Sequence, residues 1–148
     1  MRTTTLRRQH DTALKIAGEI LAEAESLTDD RTHALKVTLQ LARLTGLLKI
    51  HFAQEDRGLY PSLMASGRGG VAQVAQRFFE EMGKIGPAYE AFVAKWSNVD
   101  TLATDPAGFR TECAAIFAAL ADRIERENEI LYPLVDTELD QTGASRAA

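Results

Sequence analysis

Two eleven-residue stretches of this 148-residue chain are near copies of each other: His51-Phe52-Ala53-Gln54-Glu55-Asp56-Arg57-Gly58-Leu59-Tyr60-Pro61 and Arg123-Ile124-Glu125-Arg126-Glu127-Asn128-Glu129-Ile130-Leu131-Tyr132-Pro133. Glutamate, leucine, tyrosine and proline recur at a constant offset of 72 residues, from 51 to 123, 55 to 127 and 61 to 133. Both copies continue runs whose apolar residues return every three or four positions, which is helical spacing. The same offset carries His10 onto Met82. Such a chain is expected to be all-α: two helical hairpins related by a pseudo-two-fold axis, forming an antiparallel up-down-up-down four-helix bundle.

The periodicity places the helices. The first runs from about Leu6 to Leu27, with Leu6, His10, Ala13, Leu14, Ala17 and Leu21 on one face. The second starts around Arg31 to Ala34, turns Val37, Leu41, Leu44, Leu48, His51 and Glu55 inward, and reaches Leu59-Tyr60-Pro61 before Ser66-Gly67-Arg68-Gly69-Gly70 breaks the pattern. The third spans about Val71 to Trp96, with Phe78, Met82, Ile85, Tyr89 and Phe92 inward. A kink is predicted at Gly83, Gly86 and Pro87, because proline removes a donor and crowds the carbonyl four residues back. Asp105 reads as an N-cap and Pro106 as the first residue of the fourth helix, whose stripe is Phe109, Cys113, Ile116, Leu120, Arg123, Glu127, Leu131 and Leu134. The bundle is expected over 1–140, with a small, polar, frayed tail over 141–148.

Composition excludes several function classes. Lys and Arg total 17 against 21 acidic residues, a net charge of −4, which gives no basic footprint for nucleic acid. The lone Cys113 has no disulfide partner and sits in an apolar run, where a small buried hydrophobe is expected. No apolar run is long enough to span a membrane, and the first residues lack the apolar core of a signal peptide, so no membrane partner and a cytoplasmic location are expected.

Five ionisable residues interrupt the apolar stripes: His10, His51, Glu55, Arg123 and Glu127. Buried charges without partners cost several kcal/mol each, so these groups must satisfy one another or hold an ion. His51 and Glu55 lie one turn apart and can point at one spot. Imidazole nitrogen and carboxylate oxygen suit iron, manganese or zinc, and bundle cores build metal sites from such inward side chains. Met82 reads as core packing, with a thioether ligand as the alternative. His33 reads as a surface residue, Tyr60 and Tyr132 as packing at helix ends, and Tyr89 as pointing into a pocket opened by the kink.

Taken together, His10, the block His51-x-x-x-Glu55-x-x-x-Leu59-Tyr60-Pro61 and its copy ending in Glu127 and Leu131-Tyr132-Pro133 resemble the hemerythrin-like, or HHE cation-binding, family. The resemblance implies a left-handed bundle holding iron, with His10 and His51 as terminal ligands and Glu55 and Glu127 as bridging carboxylates. It also implies oxygen or nitric oxide binding, iron or redox sensing, or peroxide handling. The chain departs from the family where Met82 and Arg123 stand in place of the histidines of helices 3 and 4. An arginine there brings a permanent positive charge next to Glu55 and Glu127, so Arg123 is expected to replace a second cation.

Three readings follow. The first is a reduced site holding one iron, used in sensing or binding a small ligand; the second is a metal-free bundle serving as a signalling or interaction module. The third is a metal-dependent oxidase or peroxidase-like enzyme using a pocket near Met82 and Gly86. It ranks last because no acid or base is positioned outside the ligand set.

Overall fold

A computed structural model describes residues 3–137. The expected tail over 141–148 lies outside the described residues. Among the described residues every regular element is helical: α1 (Thr4–Ala24), α2 (Arg31–Gln54), α3 (Tyr60–Met64), α4 (Gly69–Met82), α5 (Ile85–Trp96), α6 (Val99–Thr104) and α7 (Pro106–Arg126). Wide turns over Glu55–Leu59 and Glu127–Leu131 continue α2 into α3 and α7 into a last helical stretch through residue 137. None of these helices is long and apolar enough to cross a membrane.

Four rods result, each packed against two neighbours: α1 on α2 and α7, and α5 on α2 and α7, with α3 against α4 at one end. Short connections make successive rods antiparallel. The starts follow the capping chemistry in the sequence. Asp30 accepts from the Thr32 N–H at 2.9 Å, and Asp105 accepts from the Gly108 N–H at 2.9 Å ahead of Pro106. The third rod breaks where Gly83 and Pro87 predict, at Gly83-Lys84 between α4 and α5. Helical spacing does not single out α6, a short helix that Asn98 caps and Leu102 anchors against α2.

One stripe needs correcting. Leu14 and Leu21, expected inside, are exposed, and α1 instead buries Ala13, Ile16, Ala17, Ile20 and Ala24. Both sets satisfy a three-and-four spacing. The bundle selects the one in line with His10 whose small residues let α1 approach α2 and α7 closely.

The core divides into two apolar clusters. One holds Ile20, Leu41, Leu44, Leu48, Phe92, Trp96, Phe109, Leu120 and Ile124; the other holds Ala75, Phe78, Met82, Leu131 and Val135. Along α1, α2 and α7 the residues that separate the clusters are His10, His51, Glu55, Arg123 and Glu127, all of them buried. A polar layer therefore crosses an otherwise apolar bundle.

Candidate metal centre

Each wide turn begins at a glutamate of this layer. The Tyr60 N–H donates to the Glu55 carbonyl and the Tyr132 N–H to the Glu127 carbonyl, five residues apart instead of four. Pro61 and Pro133 each crowd the carbonyl four residues back, and Arg57 and Glu129 both lie inside these turns, which gives the widening a local cause. The extra residue per turn brings each tyrosine onto the face of its glutamate. Tyr60 and Tyr132, expected to pack at helix ends, are thus layer residues. A uniform 3.6-residue period would rotate both away.

The tyrosines cross over. Tyr60 donates its phenol proton to Glu127 Oε2 at 2.6 Å, and Tyr132 donates to Glu55 Oε2 at 2.7 Å. Each carboxylate thereby keeps Oε1 for the histidines: Glu55 Oε1 lies 2.6 Å from His51 Nε2, and Glu127 Oε1 lies 3.1 Å from His10 Nε2. The two Nε2 atoms are 3.0 Å apart.

On the far side of each ring, His10 Nδ1 meets Asn128 Oδ1 at 2.7 Å and His51 Nδ1 meets Gln9 Oε1 at 2.6 Å. An amide oxygen only accepts, so each Nδ1 carries a proton, and an Nε2 left without one offers its lone pair as a ligand. Two imidazole nitrogens and two carboxylate oxygens converge, with ligand atoms all within 4.8 Å of one another. A ring whose remote N–H is pinned to an oxygen is the orientation that metal-binding histidines adopt. The donor set fits one metal ion.

The charges inside the layer are set by its burial. His51 falls to about 4, first because burial disfavours the imidazolium, so its ring is neutral at neutral pH. Burial and the neighbouring Glu127 charge push Glu55 well above the carboxylate range. Burial also works against the Glu127 charge, but the His10 hydrogen bond, the Arg123 charge and hydrogen bonds from Glu55 and Tyr60 hold it at about 2. Without a metal, burial and the neighbouring charge thus favour the neutral form at Glu55, while Glu127 stays the charged partner.

Arg123 fills the other half of the layer. Its Nε donates to Glu127 Oε2 at 3.2 Å, Nη1 to the Met82 carbonyl at 3.3 Å, and Nη2 to Asp56 Oδ1 at 2.7 Å and Glu55 Oε1 at 3.5 Å. The guanidinium lies 4.6 Å from the Phe52 ring centroid and 5.7 Å from that of Tyr60. Burial opposes the charge, but Glu127, Glu55 and Asp56 outweigh that and hold Arg123 protonated.

Met82 contributes only its carbonyl to the layer, and its side chain packs with Tyr60, Phe78 and Leu131. Tyr89 stands apart, hydrogen-bonded to Thr45 at 3.0 Å and lining a groove of about 680 Å³ beside the helix break. His33 bonds Glu23 at the bundle surface. Gln9, Asn128 and Asp56 carried no sequence signal, since each sits beside a layer residue on a polar stretch.

The model of the hemerythrin HHE cation-binding domain matches residues 1–135. The chain belongs to that family. No curated protein and no solved structure gave a match. For a hemerythrin-type bundle, the resemblance of His10, His51, Glu55 and Glu127 to the family's ligands agrees with a cluster that can hold a metal ion.

Proposed function

We propose that the protein binds one iron ion on His10, His51, Glu55 and Glu127 and uses it to bind a small ligand such as oxygen or nitric oxide, in sensing and not in turnover. The convergence of four lone-pair atoms, with both imidazole protons turned outward, carries this reading. Such a centre is stable only when a cation or added protons lie among those atoms.

A single ion is supported by Arg123, whose donors reach both carboxylates and whose charge supplies what a second cation would. Bound iron would supply a redox-active centre for small ligands. The chain's own groups position and insulate it: Gln9 and Asn128 fix the imidazole tautomers, Tyr60 and Tyr132 hold each Oε2, and the two apolar clusters exclude water. Asp56, Tyr60 and Tyr132 are all committed to layer partners, which favours binding over turnover.

Elemental analysis after iron loading tests the reading, with an optical spectrum recorded under air. About one ion per chain is expected, lost in His51→Ala, because a structural four-ligand site does not survive losing an imidazole. Less than about a tenth of an ion per chain would leave a metal-free hydrogen-bonded network in its place. Peroxide consumption that disappears with the metal in His51→Ala would move the protein to the enzyme class.

A further inference from the structure

The three most exposed large apolar side chains among the described residues all lie on α2: Leu39 at 60%, Ile50 at 58% and Leu35 at 51%. At 100° per residue they fall on one line with the exposed Ala42 and Gly46, opposite the buried Val37, Leu41, Leu44 and Leu48. This stripe follows the spacing of a helix seam, but no element among the described residues covers it.

Its charge is one-sided. Between Arg31 and Gln54, α2 carries Arg31, Lys36, Arg43 and Lys49 and no acidic residue. Of the chain's 17 basic residues, 17 less 4 leaves 13 elsewhere against all 21 acidic ones, so the remainder carries −8. Lys36 and Arg43 run along one edge of the stripe, Arg31 and Lys49 along the other. Arg31 meets Asp100 of α6, whereas Lys36, Arg43 and Lys49 have no carboxylate within salt-bridge reach among the described residues.

We propose that the outer face of α2 is a docking surface for an acidic amphipathic helix of a partner protein. Leu35, Leu39 and Ile50 grip the partner's apolar side, Ala42 and Gly46 let its backbone come close, and the flanking cations meet its Asp and Glu. Charge decides against the other occupants. A second copy packed through the same face would set like charges opposite each other, and an anionic bilayer would face a chain with net charge −4. The stripe also lacks the aromatic residues that anchor interfacial helices.

The probe is a fluorescein-labelled peptide helix with a leucine stripe flanked by glutamates, next to its lysine counterpart, followed by anisotropy against the full chain. Saturable binding of the acidic peptide only is expected. It should weaken at least about tenfold in Leu39→Gln and again in Arg43→Glu, while helicity, melting and bound metal stay unchanged. Equal binding of both peptides, equal binding by the variants, or none overturns the proposal. So does dimerisation that Leu39→Gln abolishes, seen by light scattering, or association confined to phosphatidylserine vesicles.

Discussion

The two halves of the polar layer share a backbone plan and differ in one kind of side chain. In the hairpin of α1 and α2, the position one turn before the glutamate is His51, and His10 faces it from the neighbouring helix. In the other hairpin the matching positions are Arg123 and Met82. Glutamate, wide turn and tyrosine are retained in both, and the tyrosines cross so that each half holds the other's carboxylate. A half-site can thus lose its imidazoles without losing the fold, provided a buried cation takes over the neutralisation of the carboxylates. In this chain that cation is a side chain on a helix, fixed by Phe52, Asp56 and the Met82 carbonyl.

If Arg123 does this, removing it has the largest effect. Arg123→Ala should destabilise the metal-free protein by roughly 3–5 kcal/mol, because Glu127 and Asp56 lose a buried partner. Urea unfolding would measure it, and an unchanged midpoint would break the comparison between halves. The converse swap sharpens it: Met82→His combined with Arg123→His should raise iron from about one to about two ions per chain by elemental analysis, since it restores the missing imidazoles.

The outer hydrogen bonds of the first half come next. Gln9→Ala and Asn128→Ala should each weaken metal affinity by roughly 10–100-fold in chelator competition, as the rings lose their fixed tautomer. Loss in one variant alone would show that the two histidines are not equivalent ligands. Tyr60→Phe and Tyr132→Phe should each cost about 1–3 kcal/mol in the metal-free state, nearly equal because the crossed bonds are nearly equal.

The smallest effect is a proton. Glu55 lies well above the carboxylate range while His51 lies at about 4. Near neutral pH, metal loading must therefore displace the Glu55 proton but none from His51 Nε2. Calorimetry in buffers of different ionisation enthalpy should find about one proton released, with affinity rising as pH rises. No release would place Glu55 as a carboxylate already charged before loading.

Much of this was legible in the chain. Helix spacing, the cap at Asp105 and the break at Gly83-Pro87 gave the bundle, and the interruption of the stripes gave His10, His51, Glu55, Arg123 and Glu127. A single period misled where the helix changes pitch, and Tyr60 and Tyr132 were misplaced for that reason. Leu14 and Leu21 were misplaced for another: periodicity names several neighbouring stripes on α1, and only packing chooses among them.

By itself, then, the amino-acid order determined which residues lie one turn apart on each helix, because that depends on local backbone geometry alone. It also fixed the replacement of histidine by arginine at position 123, and with it the number of imidazoles available. The packing of four rods decided the rest: which lone pairs meet, which amides pin the rings, and how the tyrosines cross. Those contacts join residues 41 to 118 positions apart in the chain, and no local pattern encodes a distance between separate helices.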